Sequence, residues 1–398
     1  MANIRFLRLG VLLLFGSMIM SCNSKKKNAE AIESFYSIQS NNTIGSNKAF
    51  NNPDEFFNHL DRVSIVNLPL ESMLPLDEPH LFKCKDRMIF LDNHHSQLQI
   101  VSLDNKLLLK KDLLGRGPGE VFCIKNSFVE NDTLYIYDGE KLICYNLDGK
   151  YTGVINRKEF EGANKLYKIN NTYYAITKYD RNLVKVINEK GKVQSKLLEL
   201  PNIFMTYRTD NSDDTDYYIK DGSLNFYLHF DFRLFNLSGS NLEAKFQFKK
   251  DDLVEFEDIQ DVIQEDKSFS NDDYAKLMNI NKHLYFNRFI ETDNYYLFDL
   301  YKSRDVKSYI VNKKDNSLNQ LDYLQNDAFL PYLWYMIIFS GSDGDIVYGL
   351  VQYSVLKKAI SDYSKDPMSV ELSKQLKNLY DGNKIQDDDK ILLKFEIK

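Results

Sequence analysis

The chain has 398 residues, of which 43% are hydrophobic and 27% are charged, and its formal net charge is −6. These fractions exclude an intrinsically disordered chain, which has too few apolar residues to form a core. The acidic balance argues against a nucleic-acid binder, since such proteins present a basic face to the phosphate backbone. No run of about 18 apolar residues occurs after residue 22, so the sequence predicts no internal membrane span.

The N-terminus has the pattern of a lipoprotein signal peptide, residues 1–22. Two arginines precede an apolar run from Leu9 to Met20, which is too short to span a bilayer. Residues 19–22, Ile-Met-Ser-Cys, resemble a bacterial lipobox, in which the Cys22 thiol receives a lipid before cleavage. The alternative is a simple secretory peptide with an incidental cysteine.

Acyl chains on Cys22 would anchor the mature chain to a membrane. Residues 23–27 contain no aspartate, which in enteric lipoproteins signals inner-membrane retention, and no acidic run resembling a surface-export tag. We therefore expect an outer-membrane lipoprotein of the cell envelope that faces the periplasm.

Short β-branched and aromatic segments separated by turn residues fill the chain from residue 60 onward. Pairs of such segments recur at 88–103, 134–147, 173–187, 226–237 and 295–311, and a sixth copy lies near 345–351, with the extended segment 334–339 just before it. The turn glycines Gly149, Gly191 and Gly239 lie 42 and 48 residues apart. A period of about 40–50 residues with several strands per unit is typical of a β-propeller.

The predicted domain organisation has three parts. Residues 1–22 are the signal peptide, residues 23–60 are rich in Asn, Ser and Lys and are predicted to be a flexible tether, and residues 61–398 are predicted to form one all-β, six-bladed β-propeller. Six blades follow from about 46 residues per blade, once an insert and a helix-like stretch at 359–385 are set aside.

Two helical elements are expected to interrupt the propeller. The acidic insert 250–283 has apolar residues at helical spacing, which predicts a short amphipathic helix. A second short helix is predicted before the closing strand Ile391 to Ile397. Either that strand or the strand near Val63 must complete a blade with residues from the other end of the chain, because ring closure removes exposed strand edges.

The segment Gly115–Glu120, Gly-Arg-Gly-Pro-Gly-Glu, lies between the first and second units and precedes the strand 132–138, which ends in Asp. This pattern resembles NHL-type repeats. More specifically, it resembles the six-bladed β-propeller lipoproteins of Gram-negative anaerobic bacteria, which carry a G-x-G-P-G-E signature after their first blade. The resemblance covers about residues 60–398. It implies a fold and a cellular location, and it transfers no catalytic residue.

The same loop supplies the candidate ligand-binding residues Arg116, Gly117, Gly119 and Glu120. Its glycines allow close approach of the backbone to a ligand. The loop is neither a P-loop nor a dinucleotide motif, since the Lys-Ser/Thr pair is missing and Glu120 stands where a third glycine is needed. Two interpretations remain: an inter-blade turn with Arg116 and Glu120 in ion pairs, or a loop at the channel mouth that meets an anionic group.

Thr133 is a possible O-glycosylation site, because Asp132-Thr133-Leu134 matches the Asp-Thr-aliphatic pattern described for related bacteria. No metal site is predicted. His94 and His95 are adjacent and would point to opposite faces of a strand, and no cysteine spacing typical of zinc sites occurs.

Cys84, Cys123 and Cys144 are the cysteines of the mature body, and an odd number cannot pair completely. Either Cys123 and Cys144 form one disulfide bond, or all three are free and act as small apolar residues. The sequence contains no motif for a catalytic nucleophile, so neither a catalytic residue nor a cofactor is predicted.

The expected function is binding. A lipid-anchored propeller at the cell envelope would use its loops to engage a protein, peptide or glycan, with the membrane as its other partner and no nucleic acid. The alternative is a lactonase- or lyase-like enzyme with a metal ion in the central channel. That alternative requires inward-facing Asp, Asn, Glu or His side chains from at least three blades.

Overall fold

The fold is described from a computed structural model as six sheets arranged in a closed ring. The described residues are 28, 30–40, 42–45, 60–69, 79–177, 180–202, 204, 217–263, 270–280, 282–302, 305–322, 329–380 and 385–397. The predicted all-β, six-bladed β-propeller is confirmed. Antiparallel pairing joins the four strands of every blade.

Five blades are built from consecutive strands, and we number the blades in chain order. Blade 1 contains β3 (Pro79–Cys84), β4 (Arg87–Asp92), β5 (Gln97–Ser102) and β6 (Leu107–Asp112). Blade 2 contains β7 (Asn126–Glu130), β8 (Thr133–Tyr137), β9 (Lys141–Asn146) and β10 (Tyr151–Asn156). Blade 3 contains β11 (Ala163–Ile169), β12 (Thr172–Thr177), β13 (Asn182–Asn188) and β14 (Val193–Glu199).

The second half of the ring follows the same plan with two additions. Blade 4 contains β15 (Tyr217–Lys220), β16 (Ser223–Tyr227), β17 (Arg233–Ser238) and β18 (Asn241–Lys249), and gains β1 (Thr43–Gly45) as a fifth strand. Blade 5 contains β19 (Tyr285–Glu291), β20 (Tyr295–Lys302), β21 (Asp305–Asn312) and β22 (Leu318–Asp322). Blade 6 contains β23 (Ile338–Asp343), β24 (Ile346–Gln352), β25 (Lys390–Ile397) and β2 (Leu60–Ile65).

Blade 6 closes the ring with strands from both ends of the described chain. β25 is its third strand and β2 is its outermost strand, with Val63 opposite Phe395. Both candidate closing strands therefore take part, each at a different position. At the inner side of the same blade, Gly341 lies so near Leu81 of blade 1 that a Cβ atom would be 2.6 Å from its carbonyl oxygen. Blades 6 and 1 thus meet through their first strands.

The second and third strands of each blade are the part of the repeat that the sequence predicts, because they are the most buried strands. In β4, Ile89 and Leu91 are completely buried, because a middle strand has a neighbouring blade on either face. The outermost strand β6 instead alternates half-buried and exposed residues, as expected where one face meets solvent.

The Asp at the end of the second strand closes the following loop. The carboxylate of Asp92, which is fully buried, accepts hydrogen bonds from the backbone N–H groups of His94 (2.8 Å) and His95 (3.0 Å). Asp138 does the same for Glu140 and Lys141, at 3.0 Å each. The recurring Asp is therefore explained by loop geometry, since Asp side chains readily bond the backbone two residues ahead.

The disk has two unlike faces. One face, here called the turn face, carries the short turns between the first and second strands and between the third and fourth strands. The other, here called the insertion face, carries the loops between second and third strands and the connections between blades. The helices of the described chain occur in these latter segments or pack over them: 30–37, the 3-10 helix Lys158–Phe160, Phe256–Gln260, Asn271–Met278, Phe329–Met336, Tyr353–Asp362 and Pro367–Tyr380.

Blade 6 departs from its predicted form in two ways. The segment 334–339, expected to be extended, begins inside the helix Phe329–Met336. The single helix expected before the closing strand is a pair, Tyr353–Asp362 and Pro367–Tyr380, inserted between β24 and β25. The pair packs against β2, where Ile65 N donates to Gln375 Oε1 at 2.9 Å. None of the helices in the described ranges is long and apolar enough to cross a membrane.

The predicted flexible tether at 23–60 is wrong for its described part. Residues 30–37 form a helix that buries Ala31 and Phe35, each 1% exposed. β1 then pairs in parallel with β18, with Ile44 opposite Phe248. We call residues 28–45 the arm. The tether prediction fails because Arg233, far away in the sequence, holds this helix.

Candidate functional site

Arg233 holds the arm on blade 4. Its side chain is 5% exposed and forms an ion pair with Asp231, with Nη2 to Oδ2 at 2.6 Å. Nη1 donates to the carbonyl oxygens of Phe35 (3.1 Å) and Ile38 (2.7 Å), at the C-terminal end of the arm helix. A cation at this end satisfies carbonyl groups that have no partner within the helix.

Aromatic rings surround the same guanidinium. Its carbon atom lies 4.6 Å from the ring centre of Phe35 and 5.0 Å from that of Phe235. Phe35 also packs against Phe204, at 5.1 Å between ring centres. A buried charge is tolerated when it is paired and fully hydrogen-bonded, which is the case here. The arm is therefore an integral part of blade 4.

A cleft of about 830 Å³ opens on the insertion face between the arm, blade 4 and the start of the acidic insert. One group of its lining residues is apolar and mostly buried: Phe230, Phe232, Phe248, Leu253 and Val254. A second group is polar and lies on the arm and on β18: Gln39, Ser40, Thr43 and Gln247. The volume and the mixed lining are those of a small-ligand or peptide site.

Two aromatic side chains form the wall of the cleft. Tyr36 of the arm meets Phe256 of the insert edge to face, with ring centres 5.6 Å apart. Tyr36 is 43% exposed, although it lies among residues of the core. This wall joins the arm and the insert, two segments outside the blades, so a change in either one alters the cleft.

The rim of the cleft has an excess of negative charge. Asp251, Glu255 and Glu257 are exposed, and within the described ranges none of them forms an ion pair. Lys250 is already paired with Asp252 at 3.0 Å, which leaves Lys249 as the free cation among the described lining residues. The arrangement suits a ligand that carries a positive charge beside an apolar group.

The acidic insert is closed at its base by backbone bonds. Val254 N donates to His283 O at 2.8 Å, and His283 N donates to Asp252 O at 2.7 Å. The His283 ring is completely buried, with Nε2 3.5 Å from Asp252 Oδ2. Burial lowers the pKa of His283 to about 4, against the opposing effect of Asp252, so the ring is neutral at pH 7. Within the described ranges, no group of three or more His, Cys, Asp or Glu side chains is placed to hold a metal ion.

On the turn face, ion pairs join neighbouring blades. Lys83 of blade 1 binds Asp343 of blade 6 at 2.6 Å, and Lys85 of blade 1 pairs with Asp132 of blade 2. Further around the ring, Lys220 of blade 4 binds Asp293 of blade 5 at 2.8 Å. These pairs join blade 1 to blade 6, blade 1 to blade 2, and blade 4 to blade 5.

Glu291 is the most buried acid of this face, with a fully buried carboxylate. It accepts from Lys245 (2.6 Å), Lys313 (2.7 Å) and the Tyr218 hydroxyl (2.7 Å). Burial alone would raise the pKa of Glu291. The two ammonium groups outweigh burial and hold this pKa below its ordinary value of 4.5. The network joins blades 4 and 5.

The glycine-rich loop 115–120 is part of the connection between blades 1 and 2 and packs against the two outer strands of blade 2. The Tyr145 hydroxyl of β9 donates to the Gly119 carbonyl, and Gly119, at φ +76°, packs on Tyr151 of β10. Glu120 accepts from Gly117 N at 2.6 Å. The expected ion pair between Arg116 and Glu120 is absent from the described contacts, since Glu120 turns inward to this amide and Arg116 is exposed.

These contacts belong to the outer strands of blade 2 and not to the first strands at the channel. The loop therefore matches the inter-blade interpretation in position. The ligand-binding roles of Arg116, Gly117, Gly119 and Glu120 stay predictions.

The remaining predicted sites divide as follows. Cys22 lies outside the described residues. Thr133 begins β8 on the turn face, half-buried, after two residues with positive φ, and its glycosylation stays a prediction. Cys84, Cys123 and Cys144 are free, which confirms the second of the two cysteine interpretations.

Sequence reasoning missed the arm and its clamp. One signal was present: Ala31, Phe35 and Ile38 recur at helical spacing within the predicted tether. The polar composition around them concealed it. The partner of this apolar stripe, Arg233, lies about two hundred residues away in sequence and carries no motif.

The ring of six four-stranded blades, closed by an N-terminal strand, defines this chain as a six-bladed β-propeller. It belongs to the DUF5128 family, described as a 6-bladed beta-propeller, whose profile matches residues 31–344. The match begins inside the arm helix and ends at the turn after β23, so it covers most of the arm, blades 1 to 5 and the first strand of blade 6.

One of the similar solved structures shows the same fold. The chain is similar to a protein named "Putative exported protein" from Bacteroides fragilis, with 15% identity and a TM-score of 0.69, over 89% of this chain and 99% of that one. It is also similar to a member of the DUF4221 family from Bacteroides vulgatus, with 11% identity and a TM-score of 0.47, over 85% of this chain and 97% of that one. No functionally curated protein matches the chain.

Proposed function

We propose that this chain is an exported, lipid-anchored binding protein of the outer membrane, and that the cleft on the insertion face is its ligand site. The signal-peptide pattern with Cys22 and the NHL-like repeats support the location, as does the structural neighbour named as exported. The ligand is a peptide segment of an envelope protein that carries a cationic side chain next to an apolar one.

The observation that carries this proposal is the composition of the cleft. An aromatic floor and wall can take an apolar side chain, while Asp251, Glu255 and Glu257 have no partner cation among the described residues. A lysine or arginine of a peptide would satisfy these carboxylates, whereas a neutral glycan brings no cation to them. Polar side chains of the arm and β18 are available for peptide backbone groups.

The geometry supports binding better than the metal-dependent enzyme. A metal in the channel needs free carboxylates or histidines on the first strands. The acids described near the axis are occupied, as Asp343 is by Lys83 and Asp293 is by Lys220.

The test is fluorescence anisotropy with the soluble chain from Asn23 onward. The probes are short labelled peptides that combine Lys or Arg with Phe or Leu, matched peptides with Glu in place of the cation, and neutral oligosaccharides. We expect binding of the cationic peptides alone. The double variant Glu255→Gln/Glu257→Gln should weaken it about tenfold, and Phe256→Ala by a similar factor.

A matched control tests whether the effect is local. Asp387→Asn/Asp388→Asn changes the net charge equally and alters exposed acids beside blade 6, on the same face. This control should bind as the wild type does. Equal weakening in both double variants, or binding of oligosaccharides in preference to peptides, would overturn the peptide assignment.

A further inference from the structure

We infer that the arm fixes the orientation of the propeller on the membrane, with the side of blades 3 and 4 on the insertion face nearest the bilayer. This inference rests on the proposed acylation of Cys22. Its partner surface is the bilayer itself, and its argument is the length of chain between the acylated cysteine and the first residue held by the propeller.

That first residue is Asn28. Its side chain lies in a buried position, 7% exposed, and its Oδ1 accepts from Asn202 N at 2.9 Å. Asn202 belongs to the connection between blades 3 and 4. From there the arm continues as a helix with Phe35 in the core, and Arg233 holds its end. The described part of the arm is therefore attached to the propeller, beginning at Asn28.

Six peptide units separate Cys22 from Asn28. Even fully extended, they span only about 21 Å. A tether that ran freely to residue 60, as the sequence predicted, would span up to about 130 Å and would leave the propeller free to rotate. The observed attachment shortens this reach several-fold and confines it to one side of the disk.

Charge and position agree with this placement. Lys25, Lys26 and Lys27 lie within the short connection, and their charges are attracted to a surface with anionic headgroups. The arm helix adds only about 12 Å to the reach, so Tyr36 at the cleft lies within about 35 Å of the bilayer. Blade 1, opposite blade 4 in the six-membered ring, lies on the far side. The cleft therefore opens where segments of other membrane-bound proteins are concentrated.

The experiment uses the full chain, expressed in a Gram-negative host with labelled palmitate and purified into vesicles of phosphatidylethanolamine and phosphatidylglycerol. A ketone-bearing aromatic residue carries a fluorophore in place of either Lys249 or Lys110. Both lysines are exposed and lie near the insertion-face end of the fourth strand of a blade, in blade 4 and blade 1 respectively. Lipids with a nitroxide headgroup quench the fluorophore by proximity.

We expect palmitate incorporation that requires Cys22, and several-fold stronger quenching at position 249 than at position 110. A matched variant inserts twenty Gly/Ser residues between Lys27 and Asn28, which adds about 25 Å of flexible reach without altering the folded body. The difference between the two positions should then disappear.

The outcomes separate the two proposals. Acylation with equal quenching at both positions, or a difference that persists with the spacer, would overturn the orientation and leave the anchor standing. Absence of palmitate would overturn the anchor, and the orientation with it. Peptide binding by the soluble chain tests the cleft independently of either result.

Discussion

The insertion face and the turn face lie at the two ends of the same twenty-four blade strands, yet their connections differ. On the turn face, connections of a few residues bring charged side chains of neighbouring blades together, as in the pair Lys83–Asp343. On the insertion face, long segments leave the blades, pack on one another and enclose a cleft. Ion pairs therefore join the blades directly on the turn face, whereas inserted segments cover the blades on the insertion face.

The two faces differ in how much their ion pairs stabilise the protein and in whether their loops offer a binding surface. Charges on the turn face are half-exposed for the most part, so each pair contributes little by itself. The pair Asp231–Arg233 on the insertion face is buried and holds an entire segment in place. Loops on a rigid scaffold are also where binding residues usually occur. The predictions that follow begin with a direct comparison of the two faces.

The largest effect is expected for Arg233→Leu, which leaves Asp231 buried without its cation. The cost should be about 3–5 kcal/mol of unfolding free energy. On the turn face, Lys220→Leu removes a cation whose partner Asp293 is 63% exposed, and it should cost about 0–1 kcal/mol. Urea unfolding measures both. In the double variant Asp231→Leu/Arg233→Leu much of the loss should be recovered, and equal costs on the two faces would contradict the comparison.

Gly341→Ala tests the contact between blades 6 and 1. A Cβ atom at this position would lie 2.6 Å from the backbone oxygen of Leu81, so one first strand has to move. We expect a loss of about 1–3 kcal/mol and a lower melting temperature. Gly349→Ala is the comparison variant and should cost less, since its Cβ atom would meet only side-chain atoms of Ile337, with Cδ1 at 3.0 Å and Cβ at 3.2 Å, and no backbone atom. A melting temperature equal to that of wild type for Gly341→Ala would rule out this closure geometry.

The two faces should also respond to acid at different pH. The folded pKa of His283, about 4, lies below its ordinary value of 6.5, so the folded state binds fewer protons between these values. Stability from this group is complete above about pH 6.5 and is lost as pH falls towards 4, by about 1–2 kcal/mol. His283→Gln should flatten this part of the stability profile.

The stabilisation by Glu291 on the turn face is lost at a lower pH than the stabilisation by His283. Its folded pKa is depressed, so its stabilisation is present above its ordinary value of 4.5 and is lost as pH falls further. Glu291→Gln should therefore destabilise the protein at pH 7, and its difference from wild type should shrink below pH 4.5. Denaturant midpoints measured between pH 3 and pH 7 would show whether the two windows are separate.

The smallest effect is expected for Arg116→Ala, which should change stability by no more than about 0.5 kcal/mol, because the side chain is exposed. Glu120→Ala removes the acceptor of Gly117 N and should cost about 1 kcal/mol or more. Thermal melts compare the two. A larger effect for Arg116 would mean that it has a structural partner.

Much of the propeller could be predicted, because its signal is local and repeated. The second and third strands of the blades are buried on both faces and appear as apolar runs, as in Leu134 to Tyr137. The first strands were harder to see. β15, Tyr217–Lys220, is short and only half-buried along its length, so it has neither an apolar run nor a clear alternation. The blade count was correct even though these strands were not placed.

The candidate site was the least predictable part. The glycine-rich loop attracted attention through its composition, yet its Glu120 bonds the loop's own backbone. The cleft unites the arm, blade 4 and the insert, none of which carries a motif. Residues of such a site have no recognisable sequence pattern, and only their proximity in the folded chain identifies them as a site.

The amino-acid sequence by itself determined the period, the number of blades and the buried middle strands, because these depend on apolar residues recurring at short range. Tertiary structure decided the rest. The arm is folded because Arg233 caps its helix and β18 offers an edge to β1, and both partners lie about two hundred residues further along the chain. A short amphipathic helix with no such partner is marginal in water, so the same residues were reasonably predicted to be a tether.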